Sequence, residues 1–157
     1  MIFVTLGTQD KSFERLLKII DEQAEKGNIN DQIIVQAGYT KYKSANMEIF
    51  DYIDMNTFNR YIDESDIVIT HGGVGSILTS IMKHKKVIAV ARLSDFDEHE
   101  NDHQIEIVTR FRELGYILGC IEVGEFAEKW QEVNDFKPVE YKSNNDKFCE
   151  LIKMKIG

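Results

Sequence analysis

The sequence predicts one α/β domain whose sheet is mainly parallel, with helices on both faces of the sheet. Apolar runs of strand length alternate along the chain with amphipathic stretches of helical period, and the runs are continuously apolar, as buried parallel strands are. The chain has 157 residues, about the size of a single domain, and no linker or change in composition interrupts it. We therefore treat residues 1–157 as one domain.

The first half of the chain predicts three strands and two helices. The strands are expected at residues 2–6, 32–37 and 48–52. The first helix has an apolar stripe at helical spacing, made of Phe13, Leu16, Leu17 and Ile20. It ends near Gly27. Asp54 is a suitable N-terminal cap for the second helix, which extends to about Glu64.

The second half continues the alternation. Strands are expected at residues 66–70, 87–91 and 116–121. The next two helices have inward stripes made of Val74, Ile77, Leu78, Ile81 and Met82, and of Ile107, Val108, Phe111 and Leu114. Lys85 and Lys86 are expected near the C-terminal end of the first of these helices, where the helix dipole favours cations. Further helices are predicted at residues 123–133 and 144–155. The last helix has an apolar stripe made of Phe148, Leu151, Ile152 and Ile156. This stripe packs on the sheet of the domain or docks on a partner.

Charge and composition exclude several classes of protein. The chain has 19 Lys and Arg against 27 Asp and Glu, a net charge of −8, which disfavours nucleic-acid binding. The two cysteines, Cys120 and Cys149, have no metal-binding spacing and suit a reducing compartment. No apolar stretch approaches the ~18 residues of a membrane span. We therefore expect a cytoplasmic protein that reaches a membrane only through a partner or a surface patch.

A glycine-rich segment at residues 71–76 follows a predicted strand and opens a predicted helix. Free N–H groups at a helix start attract anions, and glycines let a ligand approach the backbone, so we interpret this segment as phosphate-binding. Its residues are His71, Gly72, Gly73, Val74, Gly75 and Ser76. A tight strand-to-helix turn is the alternative. The segment lacks the Lys of a P-loop, and Leu78 stands where a dinucleotide fingerprint needs its third glycine.

Two other motifs match metal-binding patterns, but their surroundings argue against metal chemistry. Residues 99–103 read His-Glu-Asn-Asp-His, which matches the zinc motif HExxH, but acidic residues surround it. Residues 95–97 read Asp-Phe-Asp, a metal-dependent sugar-binding pattern that is common by chance. We expect no metal at either place. His71 is a candidate base or a loop-end hydrogen-bonding residue, and these alternatives stay open.

Three segments together resemble the C-terminal domain of glycosyltransferase family 28. They are residues 2–8, residues 66–76 and residues 98–104, in an order and spacing that span most of the chain. The resemblance is to stand-alone donor-binding subunits of two-part bacterial polysaccharide glycosyltransferases. The soluble subunit of the dolichol-linked N-acetylglucosaminyltransferase is a more distant relation. The fold implied is Rossmann-like, equivalent to the C-terminal half of a GT-B enzyme.

The resemblance also implies a function and a set of site residues. The chain would bind a UDP-sugar donor without a metal or other cofactor, with the diphosphate at residues 73–76. Asn101, His103 and Gln104 would face the donor sugar, Gly7 and Thr8 would border the cleft, and residues 36–38 would lie near the uridine. A membrane-anchored partner would supply the acceptor half, and the acceptor would be a lipid-linked saccharide in capsular or exopolysaccharide synthesis.

The chain departs from the family pattern at several positions. Thr79 stands where many members have Glu for the ribose, and Gln9 stands where bacterial relatives often have His. His84 and Lys86 replace a Gly and a Pro. These departures leave two hypotheses besides the distant zinc hydrolase. The chain is either a catalytic donor half or a non-catalytic enhancer that binds UDP-sugar for a partner enzyme. The catalytic residues are not identified.

Overall fold

A computed structural model describes residues 1–141 and contains a six-stranded, fully parallel sheet. Its strands are β1 (Ile2–Thr5), β2 (Ile33–Gln36), β3 (Glu48–Phe50), β4 (Ile67–His71), β5 (Lys86–Val90) and β6 (Leu118–Cys120). The helices between them are α1 (Glu14–Glu25), α2 (Met55–Glu64), α3 (Val74–Met82), α4 (His103–Glu113) and α5 (Phe126–Glu132). The spatial order of the strands is β3-β2-β1-β4-β5-β6. This order confirms the predicted doubly wound α/β fold.

The helices cover both faces of the sheet because successive residues of each strand point to opposite sides. On β1, Ile2 and Val4 pack with the apolar residues of α1 and α5, whereas Phe3 packs with those of α2, α3 and α4. Each face thus has its own apolar cluster. In the described part of the chain no helix is long and apolar enough to cross a membrane.

Local sequence signals account for the helix ends. The Asp54 carboxylate accepts a hydrogen bond from the Thr57 N–H at 2.7 Å, as expected of an N-terminal cap. Gly115 has φ of +82° and its N–H donates to the Arg112 carbonyl at 3.0 Å, which ends α4. The predicted helix over 123–133 is a 3-10 turn (Val123–Glu125) followed by α5.

Three expectations from the sequence need correction or lie outside the described residues. Met82 is the last residue of α3 and is 57% exposed, so it does not belong to the inward stripe. Lys85 Nζ donates to the carbonyls of Asp63 and Ser65, each at 2.8 Å, so it serves the end of α2 rather than that of α3. The helix predicted over 144–155 lies outside the described residues.

The strand order places a topological switch point between β1 and β4. From β1 the chain proceeds to β2 on one side, and it later returns to β4 on the other. The connections that leave the carboxyl ends of these two strands therefore diverge and leave a crevice between them. Ligands of open α/β sheets bind in such a crevice.

Candidate functional site

A cavity of about 410 Å³ opens at this switch point, which we call the switch-point cavity. It lies at the carboxyl ends of β1, β2 and β4 and at the starts of α2 and α3. Its lining residues are Thr5, Gly7, Thr8, Gln9, Gln36, Tyr52, Ile53, Met55, Phe58, His71, Gly73, Val74, Gly75, Ser76 and Thr79. This lining contains no Asp, Glu, Lys or Arg side chain. Any charge on a ligand must therefore be met by dipoles.

The N-terminus of α3 supplies such dipoles at one wall of the cavity. The first backbone hydrogen bond at this end runs from the Ile77 N–H to the Gly73 carbonyl at 3.2 Å. The N–H groups of Val74, Gly75 and Ser76 precede that bond, and Gly73 offers no side-chain cap. The Ser76 hydroxyl adds a further donor. Together with the helix dipole these groups form a site suited to an anion.

The glycines of the segment serve different purposes. A Cβ on Gly73 would lie 2.5 Å from the Cε1 atom of His71, and a Cβ on Gly72 would lie 2.9 Å from the Cβ of Gln104. These two glycines therefore make room for protein side chains. Gly75 has nothing within 4 Å of the place a Cβ would occupy. Gly75 is thus the glycine of this segment beside which a ligand has space.

His71 is the last residue of β4 rather than a loop residue, and its imidazole is 5% exposed at the base of the cavity. Gly7 leaves room for the ring on the other side, because a Cβ there would lie 2.5 Å from Nε2. Gly7 has φ of +80°, which favours glycine in addition. The Nδ1 atom of His71 lies 3.1 Å from Nε2 of Gln104.

Residues 101–104, at the start of α4, lie differently from what the family resemblance implies. Asn101 and His103 are exposed, Gln104 is fully buried, and none of the three lines the switch-point cavity. A direct contact of the Gln104 amide with a donor sugar does not fit this placement, because Gln104 lies behind His71. The sugar contacts of Asn101 and His103 remain predictions.

The two motifs that match metal-binding patterns do not have the geometry of a metal site. His99 lies in the turn before α4, and only His103 belongs to the helix, so the two imidazoles do not share a helix face. Asp97 is paired with Lys11, with Oδ1 and Nζ 3.0 Å apart. Among residues 1–141, no group of three or more His, Cys, Asp and Glu side chains could hold a metal ion.

Gln36 ties the ends of the first three strands together beneath the cavity. Its Oε1 accepts a hydrogen bond from the Thr5 hydroxyl at 2.6 Å, and its Nε2 donates to the carbonyls of Gly7 and Asp51, each at 3.2 Å. The sequence predicts residues 36–38 near the site, but it does not indicate this bonding. A polar residue at the end of an otherwise apolar strand is the signal that was available.

Sequence reasoning also missed the apolar wall of the cavity and the buried cation beside it. Tyr52 and Met55 are 58% and 68% exposed at the mouth of the cavity, and neither belongs to a glycine-rich motif. Arg92 lies two residues after the end of β5 and is 1% exposed. Its guanidinium donates to the carbonyls of Lys11 and Glu98 at 2.9 Å and to that of Leu6. Arg92 thereby fixes the segment that follows β1.

Comparison with protein families gives one match that spans the chain. The model of the glycosyltransferase family 28 C-terminal domain matches residues 1–155. The chain belongs to this family. The resemblance drawn from residues 2–8, 66–76 and 98–104 is therefore confirmed.

Curated relatives are subunits of a transferase. The chain is 31% identical over 130 residues to the UDP-N-acetylglucosamine transferase subunit ALG13 of Candida glabrata, covering 80% of this chain and 61% of that protein. It is 31% identical over 107 residues to ALG13 of Debaryomyces hansenii, covering 68% of this chain and 46% of that protein. The chain thus spans between about half and three fifths of the length of these relatives.

Solved structures share the fold. A solution structure of ALG13 superimposes with a TM-score of 0.61 at 23% identity, covering 96% of this chain and 93% of that one. The calicheamicin glycosyltransferase CalG4 superimposes with a TM-score of 0.59 at 14% identity, covering 99% of this chain and 38% of that enzyme. The fold of this chain therefore recurs within CalG4, where it makes up about two fifths of that enzyme.

Proposed function

We propose that this chain is the donor-binding, catalytic subunit of a UDP-sugar glycosyltransferase and works with a partner subunit. The observation that carries the proposal is the switch-point cavity, which has a helix N-terminus and neutral hydrogen-bond donors but no charged side chain in its lining. Family membership supports a glycosyltransferase role. The relatives named as UDP-N-acetylglucosamine transferase subunits support a subunit that uses a UDP-linked sugar.

The chemistry of transfer explains why such a cavity is suitable. When an acceptor hydroxyl attacks the anomeric carbon, the bond to UDP breaks and negative charge develops on the diphosphate. Preorganised N–H groups of Val74, Gly75 and Ser76, with the dipole of α3, would stabilise that charge. The acceptor hydroxyl needs a general base. Since no carboxylate lines this cavity, we assign the base to the partner.

The partner would also bring the acceptor. We propose a membrane-anchored acceptor-half subunit and a lipid-linked saccharide acceptor, with the chain recruited from the cytoplasm to the inner face of the membrane. Capsular or exopolysaccharide synthesis is the process that we propose from the bacterial subunits that the sequence resembles.

Nucleotide titration tests the site. We expect UDP and a UDP-sugar to bind the purified chain in calorimetric titration against a panel of UDP-sugars. The Gly75→Val variant should weaken UDP binding at least tenfold, because its side chain fills open space at the start of α3. Gly124→Val is the matched control, since Gly124 also has nothing within 4 Å of a Cβ position and does not line the cavity. Undiminished UDP affinity in Gly75→Val would contradict the site.

The alternative function is a non-catalytic enhancer that binds UDP-sugar. Thr79 favours this alternative, because it stands where family members often have a Glu. Its hydroxyl donates to the Gly75 carbonyl at 2.9 Å. A transfer assay with the co-expressed partner separates the two functions. Turnover that requires both chains supports the catalytic role, whereas turnover by the partner alone supports the enhancer. Full turnover by this chain alone would contradict the need for a partner.

A further inference from the structure

The orientation of the Gln104 side-chain amide is fixed by two backbone donors. Gln104 is fully buried in the first turn of α4, and its Oε1 lies 2.9 Å from the Gly72 nitrogen and 3.0 Å from the Arg92 nitrogen. These N–H groups follow the ends of β4 and β5. A flipped amide would direct its NH₂ group at two N–H donors, so the oxygen must occupy this position.

This orientation determines which nitrogen of His71 carries the proton. The Nε2 atom of Gln104 lies 3.1 Å from Nδ1 of His71. An amide NH₂ group only donates, so Nδ1 of His71 must accept through its lone pair. A neutral imidazole with an unprotonated Nδ1 carries its hydrogen on Nε2. The choice of tautomer thus follows from a residue 33 positions away in the chain.

The protonated edge of the ring lies at the switch-point cavity. Nε2 is the His71 atom closest to the place where a Cβ on Gly7 would sit, and Cε1 holds the same relation to Gly73. His71, Gly7 and Gly73 all line the cavity beside the start of α3. The Nε2 edge is therefore at the wall where the proposed diphosphate would lie.

We propose that Gln104 is a positioning residue that holds His71 as the neutral Nε2–H tautomer, so that His71 acts in donor binding as a hydrogen-bond donor and not as a base. The role in donor binding rests on the proposed function, whereas the tautomer does not. A nitrogen that already carries its hydrogen cannot take the proton of an acceptor hydroxyl. Gln104 acts through His71 and through the ends of β4 and β5.

The first test reads the tautomer directly. In ¹⁵N-labelled protein at neutral pH, long-range proton–nitrogen correlation distinguishes an imidazole protonated at Nε2 from one protonated at Nδ1. The His71 signals are assigned by their loss in His71→Asn. We expect the Nε2–H pattern for His71. The Nδ1–H pattern, or the averaged pattern of an imidazole that exchanges freely, would overturn the proposal even if no variant of Gln104 folds.

The second test changes the partner of Nδ1. In Gln104→Glu one carboxylate oxygen can still accept from the two backbone N–H groups, while the other accepts from Nδ1–H, so the His71 pattern should gain a proton on Nδ1. Gln104→Met keeps the approximate shape but offers no donor, so His71 should show both tautomers. We expect UDP affinity to fall severalfold in Gln104→Met, because part of the molecules then carry no hydrogen on Nε2 of His71.

Gln23→Glu is the control for the added charge. Gln23 is also buried, and its Oε1 accepts from the Asn28 side chain at 2.9 Å, remote from the cavity lining. The Gln23→Glu variant should show the same proton–nitrogen correlation pattern for His71 and the same UDP affinity as the unchanged chain. An unaltered His71 pattern in a folded Gln104→Glu protein would overturn the positioning role. Failure of the unchanged chain to bind UDP would instead overturn the proposed function and leave the tautomer result standing.

Discussion

Two cavities of about 410 Å³ each share the segment after β1 as a wall, and they treat charge in opposite ways. Residues 7–9 line the switch-point cavity, whose lining has no charged side chain. Residues 10–12 line the second, which we call the charged cavity. Its other lining residues are Glu14, Arg15, Lys18, Tyr39, Phe96, Asp97 and Glu98. Cavity volume therefore does not distinguish the two, but electrostatics does.

The cations of the charged cavity are already paired within the protein. Lys18 Nζ lies 3.6 Å from Glu14 Oε1. The Arg15 guanidinium donates to both oxygens of Glu98, at 2.6 and 2.8 Å, and Lys11 Nζ lies 3.0 Å from Asp97 Oδ1. Each cation is thus held by an anion and offers little attraction to a phosphate. The switch-point cavity instead presents backbone N–H groups that no carboxylate in its lining neutralises. A site for an anionic ligand needs such donors more than it needs lysines.

The largest expected effect comes from removing the buried cation that fixes the shared wall. Burial lowers the pKa of Arg92 to about 10, although the charge of Glu98 acts in the opposite direction and raises it. Arg92→Met leaves the carbonyls of Leu6, Lys11 and Glu98 without their donor, so we expect a loss of about 3–5 kcal/mol in the free energy of unfolding. Urea unfolding measures this loss, with the exposed Arg60→Met as control. A loss below about 1 kcal/mol would contradict the role of Arg92.

An intermediate effect should follow from placing a charge in the uncharged cavity. In Ser76→Asp the carboxylate stabilises the first turn of α3 by about 0.5 kcal/mol, while its repulsion weakens UDP binding by about 1–4 kcal/mol at ~4 Å. Unfolding and calorimetric titration measure these two opposite changes. Ser76→Asn is the uncharged control. UDP affinity that is equal in the Asp and Asn variants would show that the diphosphate does not lie at α3.

The smallest effect is expected at the exposed end of the charged cavity. Asp97 is 91% exposed on its side chain, so its pair with Lys11 is well screened by solvent. Asp97→Asn should leave both the stability and UDP affinity unchanged, since Asn also tolerates the φ of +55° at this residue. Asp97→Ala serves as a comparison that removes this backbone tolerance. A loss of UDP affinity in Asp97→Asn would assign the charged cavity to the nucleotide.

The sequence by itself determined the order of strands and helices along residues 1–141 and the position of the glycine-rich segment between β4 and α3. Strand β4 and helix α3 could be predicted because an apolar run and an apolar stripe are local patterns, set by the periods of the two structures. The segment 71–76 was recognisable for the same reason, since strand, glycines and helix follow one another directly. The family likeness of three segments added the proposal that the ligand is a UDP-sugar.

Only the tertiary structure decided what several of these residues do. Gly73 makes room for His71, whereas Gly72 makes room for Gln104, which α4 brings to the ends of β4 and β5. Lys85 serves α2, and Arg92 serves the segment after β1. The bonds of Gly72 with Gln104, of Lys85 with Ser65 and of Arg92 with Lys11 each join residues at least 20 positions apart. A local sequence pattern does not indicate such pairs, because only the packing of helices on the sheet brings these residues within bonding distance.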